Sequence, residues 1–150
     1  MAVRPIPDEH HVVRHCEKRE TIRENGKIIG IHPTAFLLRP ANPPLRPEPE
    51  KYLSCNYYES FVGTAAEMMK CCCQALSFEP KKEDGLVRLN VAKIKSCFQK
   101  YLTPVRVTHE AKAANPSYAA IRPGKIDNPI AGILATLAVV EMVSVSDALK

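Results

Sequence analysis

The sequence predicts an α+β fold in which a small antiparallel sheet, built on an N-terminal β-hairpin, is packed by two or three helices. Three observations support this prediction: an Asn-Gly turn between β-branched residues, two helix-capping residues that each precede an amphipathic segment, and several short strand-like segments. The length of 150 residues matches that of one domain. We therefore expect a single domain that spans residues 1–150.

The hairpin is predicted from Asn25 and Gly26, which suit a type I′ turn because both central residues of that turn need positive φ. With this turn, Ile22 is expected opposite Ile29, and Ile31 follows two residues later. All three isoleucines are then expected on one face of the hairpin.

Two helices are predicted from their N-terminal caps. Thr64 and Glu67 fit the capping-box pattern ahead of an apolar-periodic segment. Asn90 suits the cap of a second helix, in which apolar residues between Val91 and Tyr101 line one face. Strand-like patterns are found at residues 11–16, 52–58 and 105–108.

A third helix is predicted at about residues 130–143, with Asp127 or Asn128 as its cap and Pro129 at its first position. Only two of these fourteen residues are clearly polar, so the helix is apolar on nearly every side. Such a helix needs cover all round. Two interpretations remain open: it is a central core helix, or its exposed flank packs against another chain.

Residues 40–49 contain five prolines, a composition that favours an extended, polyproline-like arm. Tyrosines follow at positions 52, 57 and 58. Aromatic side chains beside a rigid extended segment are good anchors for a protein partner. The alternative interpretation is that the arm is a surface connection and that the tyrosines are ordinary core residues.

The formal net charge of +5 is unevenly placed along the chain. Residues 81–125 hold ten Lys or Arg residues against three acids, a local net charge of +7. Such a segment is typical either of an ordinary solvated face or of a nucleic-acid-binding surface. The candidate nucleic-acid contacts are Lys93, Lys95, Lys100 and Arg106.

The N-terminal residues lack the apolar core of a signal peptide, and no apolar run reaches the roughly 18 residues that a membrane-spanning helix needs. Three of the six cysteines are consecutive, at Cys71, Cys72 and Cys73, which is a poor framework for disulfides. We therefore expect a cytoplasmic protein that does not associate with membranes.

Histidines and cysteines in the first third of the chain are candidate metal ligands or catalytic groups. His11 and His15 have i, i+4 spacing, but in an extended segment they lie about 13 Å apart, so no metal site is predicted. Cys55 or Ser54, with a histidine as base, would form a nucleophilic site, yet no nucleophile or phosphate-loop motif marks one. No catalytic residue, metal or cofactor is assigned.

One enzyme alternative comes from the order of several polar residues along the chain. That order is Arg14 or His15 on an early strand, Ser54 with Tyr57 or Tyr58, and then Glu59 or Glu110. It resembles the order of an Arg or His, a Tyr or Ser, and a late Glu in ADP-ribosyltransferases. The resemblance implies a small mixed fold that acts on a nicotinamide-type ligand.

The pattern as a whole favours a small adaptor protein that binds another macromolecule, either a different protein or a second copy of this chain. The candidate partner-binding residues are Pro43, Pro44, Leu45, Tyr52, Tyr57, Tyr58, Ile133, Leu137 and Val140. The alternatives are a nucleic-acid-binding protein that uses residues 81–125 and a small ADP-ribosyltransferase-like enzyme.

Overall fold

The computed structural model describes residues 3–44, 46–123, 126–138 and 142–150. Within these ranges, three short 3-10 helices lie between the other elements: Lys18–Glu20, Pro33–Phe36 and Tyr58–Ser60. Those elements are β1 (Arg4–Pro5), β2 (His11–Cys16), β3 (Thr21–Glu24), β4 (Lys27–Ile31), β5 (Leu53–Tyr57), α1 (Ala65–Gln74), β6 (Gly85–Asn90), α2 (Val91–Gln99), β7 (Val105–His109), β8 (Tyr118–Pro123), α3 (Asn128–Ala138), β9 (Met142–Ser144) and α4 (Val145–Ala148).

The main sheet has seven strands in the order β1-β7-β8-β5-β2-β6-β9, and its neighbouring strands are antiparallel. β3 and β4 form a separate two-stranded sheet. The predicted α+β class, the antiparallel sheet and the N-terminal hairpin are therefore confirmed. The main sheet is larger than expected, and β2 and β5 lie near its centre.

The hairpin has the predicted turn but a different register. Its two turn residues have φ of 52° and 78°, as a type I′ turn requires. A bulge beyond the turn makes Ile22 pair with Gly30 instead of Ile29. Ile22 and Ile29 are exposed, whereas Ile31 is buried. The prediction that the three isoleucines share one face is wrong, because a one-residue shift moves a side chain to the opposite face.

Helices cover both faces of the main sheet. Val12 of β2 belongs to a large core with residues of α2 and α3, which defines the α2/α3 face. The next residue, Val13, points the other way and belongs to a second core with residues of α1 and α4, which defines the α1/α4 face. Both predicted caps form: Thr64 begins α1 in a capping box, and Asn90 caps α2.

The apolar helix α3 packs on the α2/α3 face. Asp127 caps it by accepting the backbone N–H of Ile130 at 3.2 Å. The helix is shorter than the predicted 130–143, because residues 142–144 form β9 and pair with the edge of β6. No helix within the described ranges is long and apolar enough to cross a bilayer. The buried residues of α3 are Ile130, Ala131, Leu134, Ala135 and Ala138.

The proline-rich segment, residues 40–49, folds back on itself. Asn42 and Arg46 exchange two backbone hydrogen bonds, and the backbone N–H of Glu50 donates to the Arg39 carbonyl at 2.9 Å. The described part of the segment is a closed loop and not the predicted extended arm, because backbone hydrogen bonds join its two ends to each other.

Strands β2 and β5 pair only over a short distance. They are paired at two successive positions, the second of which joins Val13 to Asn56. If that register continued, His15 would lie opposite Ser54, and the backbone N–H and C=O groups of these two residues would bond to each other. The ladder between the two strands ends before that point, and we call this break in the pairing the opening of the main sheet.

Two arginines donate to the carbonyl groups that face this opening. Nη1 of Arg14 donates to the Ser54 carbonyl at 2.9 Å, and Nη2 of Arg39 donates to the His15 carbonyl at 2.8 Å. Nε of Arg14, which is 1% exposed, also donates to the Ala35 carbonyl at 2.8 Å. Because buried carbonyl groups need donors, the two guanidinium groups replace strand-to-strand hydrogen bonds.

Arg14→Met should lower the free energy of unfolding by about 3 kcal/mol. The change leaves two backbone carbonyls without donors and removes the ion-pair partner of the Glu50 carboxylate, which lies 3.4 Å from Nη2 of Arg14. Urea denaturation followed by circular dichroism measures the loss. Arg19→Met is the matched control, because the Arg19 side chain is 80% exposed and little change is expected. Equal stability of the two variants would contradict this role for Arg14.

Candidate functional site

A cavity of about 200 Å³ lies on the α1/α4 face where β2 and β5 separate. Residues of β2, β5 and β8 form its floor. Its walls are residues 76–78, which follow α1, and the turn at residues 112–115. Arg39 lines the cavity as well. The separation of the two strands therefore provides both the space and several of the groups that line it.

His15 presents a buried imidazole to this cavity. Its side chain is 7% exposed, and its Nε2 lies 2.8 Å from Oδ2 of Asp84. The Asp84 carboxylate also accepts the backbone N–H groups of Lys18 and Lys81, each at 3.0 Å. These bonds fix the carboxylate as an acceptor and orient it toward the imidazole.

Because the Asp84 carboxylate is an acceptor, the hydrogen of the neutral His15 imidazole lies on Nε2. Nδ1 is then an acceptor, and it is buried with no hydrogen-bond partner among the residues that the structure describes. Burial lowers the pKa of His15 below its ordinary value, and the opposing effect of the hydrogen bond to Asp84 is smaller. The ring is therefore neutral at pH 7. Phe78 holds the ring in an edge-on contact, with 4.8 Å between the centroids.

Arg39, which also lines the cavity, carries a buried donor without a partner among the described residues. Its Nη2 contacts the His15 carbonyl and Oε1 of Glu20, at 2.8 and 3.2 Å, whereas its Nε is buried with no hydrogen-bond partner. Burial lowers the pKa of Arg39, but a guanidinium group stays charged at neutral pH. A buried polar group without a partner costs about 1–3 kcal/mol. His15 and Arg39, which both line the cavity, thus hold one acceptor and one donor that have no partner among the described residues.

The β5–β8 side of the cavity carries two hydroxyl groups and a lysine. Oγ of Ser54 and the hydroxyl of Tyr118 are 2.9 Å apart, and Nζ of Lys112 lies 3.7 Å from the centre of the Tyr118 ring. Burial raises the pKa of Tyr118, so its hydroxyl stays protonated. The turn that carries Lys112 is held by Asn115, whose Nδ2 donates to Oδ1 of Asn56 at 3.0 Å.

Cys55 also lines the cavity but is not a nucleophile at neutral pH. Burial raises the pKa of its thiol to about 12, and the thiolate is the reactive form. In the described part of the chain, no group of three His, Cys, Asp or Glu residues is arranged to hold a metal ion. His15 is the base that the cavity presents.

The predicted partner-binding residues lie on different parts of the molecule. Pro43 and Pro44 are exposed in the proline-rich loop, whereas Tyr58 is buried and donates to the Ala65 carbonyl. Leu45 and Val140 lie outside the described residues. The others are half-buried: Tyr52, Tyr57, Ile133 and Leu137.

The predicted nucleic-acid contacts are also divided. Lys93, Lys95 and Lys100 are on α2 or at its C-terminal end, and Lys95 forms an ion pair of 2.6 Å with Asp8. Arg106 is exposed on β7, next in sequence to the buried Val107 that faces α2. Because side chains alternate along a strand, Arg106 points to the α1/α4 face, away from the three lysines.

Two residues of the ADP-ribosyltransferase-like order lie together at the cavity. His15 and Ser54 line it. Glu59 instead lies 2.6 Å from Nδ1 of His11, and Glu110 accepts two hydrogen bonds of 2.5 Å from Arg122. The structure therefore does not bring a glutamate of that order to the imidazole.

Sequence reasoning missed the contributions of Asp84, Arg39, Lys112 and Tyr118. Asp84 lies 69 residues from His15 along the chain, in a segment whose composition indicates only a charged turn. His15 and Asp84 are brought together because β2 pairs with β6, and not by a local motif, so no sequence signal identifies the pair. Comparison with known proteins finds no matching family model, no matching curated protein and no matching solved structure.

The stability of the protein should fall as the pH drops below about 6.5. The unfolded chain binds a proton on His15 near its ordinary pKa, whereas the folded protein, with a lowered pKa, does not. Urea denaturation at pH 7.5 and pH 5 measures the difference. His15→Gln should reduce the dependence, and His32→Gln, at an exposed position, should not. The same dependence in both variants would contradict the assigned state of His15.

Proposed function

We propose that the protein binds a small planar molecule in this cavity and that Nδ1 of His15 accepts a hydrogen bond or a proton from it. The observation that carries the proposal is the buried Nδ1, which has no partner although Nε2 is held by Asp84. Buried polar atoms are nearly always hydrogen-bonded, so an unpaired one beside a cavity favours a ligand that supplies the missing partner.

The size and walls of the cavity favour a ligand with one ring. A cavity of about 150 Å³ is large enough for benzene, and this one is about 200 Å³. Leu76, Phe78 and the ring of Tyr118 provide apolar contacts. Nε of Arg39 is a donor, so it would bind a carbonyl or anionic group on the ring. A neighbouring N–H or O–H group on the same ring would then donate to His15.

The same arrangement supports proton abstraction from the bound molecule. A carboxylate that fixes the tautomer of a histidine leaves the other ring nitrogen free as a general base. Asp84 has this relation to His15, and the lowered pKa keeps the imidazole in the form that accepts a proton. We therefore expect ligands that carry an acidic N–H or O–H group.

Ligand-observed NMR with a panel of single-ring heterocycles and aromatic acids tests the proposal. We expect His15→Gln to weaken the binding of a ligand by roughly tenfold to a hundredfold, as the loss of one buried hydrogen bond predicts. Arg39→Lys should weaken binding of those ligands that carry a carbonyl or anionic group. His32→Gln is the matched control, since His32 is exposed.

Binding that is equally strong in wild type, His15→Gln and Arg39→Lys would contradict the proposal, provided that circular dichroism shows each variant folded. Absence of binding across the whole panel would contradict it as well.

The adaptor function predicted from the sequence is a second candidate, in a cytoplasmic setting. It is supported by the exposure of Pro43 and Pro44 and by the half-buried apolar residues Ile133 and Leu137 on α3. Sedimentation velocity of wild type and Ile133→Glu tests whether the partner is a second copy of this chain. Dimerisation that the substitution abolishes would support it, and a wild-type monomer at high concentration would exclude that version.

A further inference from the structure

A basic surface adjoins the cavity on the α1/α4 face. Arg106 of β7 and Arg122 of β8 are paired directly in register, so their side chains lie on the same face of the sheet. Ser54 and Tyr118, which line the cavity, point to this face too. We call the set of Tyr52, Arg106, Lys112, Tyr118 and Arg122 the basic sheet surface.

The positive charges on this surface are only partly balanced by the protein. Like charges placed directly opposite each other on neighbouring strands are destabilising, and Arg106 faces Arg122 in this way. Glu110 pairs with Arg122 and neutralises it. The hydrogen bond from Arg122 lowers the pKa of Glu110, and the nearby charge of Lys112 adds a smaller effect in the same direction. Neither Arg106 nor Lys112 has an ion-pair partner in the described ranges, and both are exposed. The surface therefore favours an anion.

The basic sheet surface is continuous with the cavity. Lys112 lines the cavity, and its Nζ lies over the Tyr118 ring. The Tyr118 ring is in edge contact with the Tyr52 ring, with 6.4 Å between centroids, and the Arg122 guanidinium lies 4.0 Å from the centre of the Tyr52 ring. An anionic group attached to a ring inside the cavity would thus meet Lys112 first and the arginines next.

We propose that the ligand of the cavity is a pyrimidine nucleotide, with its base between His15 and Arg39 and its phosphate on the basic sheet surface. The inference rests on the proposed binding function of the cavity and names the class of ligand. A pyrimidine is a single ring that carries an N–H donor next to a carbonyl or ring-nitrogen acceptor. The unpaired acceptor of His15 and the unpaired donor of Arg39 match these two groups.

The phosphate of the nucleotide would bind the positively charged side chains of the basic sheet surface, which the base does not contact. Arginine and lysine bind phosphate oxygens through charge-assisted hydrogen bonds. Purine bases have two fused rings, so a cavity of about 200 Å³ favours the pyrimidines by size. A pyrimidine base with its phosphate is present both in a free mononucleotide and in one residue of a single-stranded nucleic acid. A titration with an oligouridylate distinguishes these two sources.

Isothermal titration calorimetry with uridine 5′-monophosphate, cytidine 5′-monophosphate, adenosine 5′-monophosphate and uridine tests the inference in the full chain. We expect the pyrimidine nucleotides to bind at least tenfold more tightly than both uridine and the purine nucleotide. Lys112→Ala and Arg106→Ala should remove most of the difference between nucleotide and nucleoside. Lys93→Ala and Lys100→Ala are matched controls, because these exposed lysines belong to α2 on the other side of the sheet.

Equal affinity for nucleotide and nucleoside, unchanged in Lys112→Ala, would overturn the role of the basic sheet surface. The proposed function would then still stand, because the nucleoside would occupy the cavity. If neither nucleotides nor uridine bind, the inference is wrong, and the panel of single-ring compounds decides the proposed function separately.

An oligouridylate of six residues, titrated at 50 and 200 mM NaCl, separates the two sources of the ligand. Tighter binding than the mononucleotide, with affinity that falls steeply as salt rises, would assign the site to single strands. Affinity equal to or weaker than that of the mononucleotide would assign it to the free nucleotide. Binding of the oligomer that Arg106→Ala and Lys112→Ala leave unchanged would overturn the inference.

Discussion

Two carbonyl groups, those of His15 and Ser54, need hydrogen-bond donors because the strands that carry them separate after Val13. The guanidinium groups of Arg39 and Arg14 supply those donors. A guanidinium group can serve several acceptors in one plane, so it satisfies these carbonyls while it holds the strands apart. The opening of the main sheet, and with it the cavity, depends on these two side chains.

The same two arginines determine how the chain around the cavity is connected. Arg14 also reaches the Ala35 carbonyl and the Glu50 carboxylate, and Glu50 accepts the backbone N–H of Arg39 at 2.8 Å. Both ends of the proline-rich loop are thereby tied to the opening. A core covers each face of the sheet, and at the opening the cavity lies on the α1/α4 face, where His15 meets Asp84.

The parts of the fold that local chemistry determines were predictable from the sequence. The Asn-Gly turn, the capping box at Thr64 and the cap at Asn90 each form, because they depend on neighbours within a few residues. The hairpin bulge, the early end of α3 and the closed proline loop were not predictable, since each depends on contacts with distant strands. His15 was considered as a base, but its partner Asp84 comes from another strand connection.

The opening held by the two arginines can be observed directly by NMR through couplings across hydrogen bonds. A long-range HNCO experiment on labelled protein should show coupling of the Arg14 side-chain nitrogen to the Ser54 carbonyl carbon, and of the Arg39 side-chain nitrogen to the His15 carbonyl carbon. Coupling between the backbone nitrogen of His15 and the carbonyl carbon of Ser54 would instead show a continuous ladder. That result would contradict the opening and remove the cavity built on it.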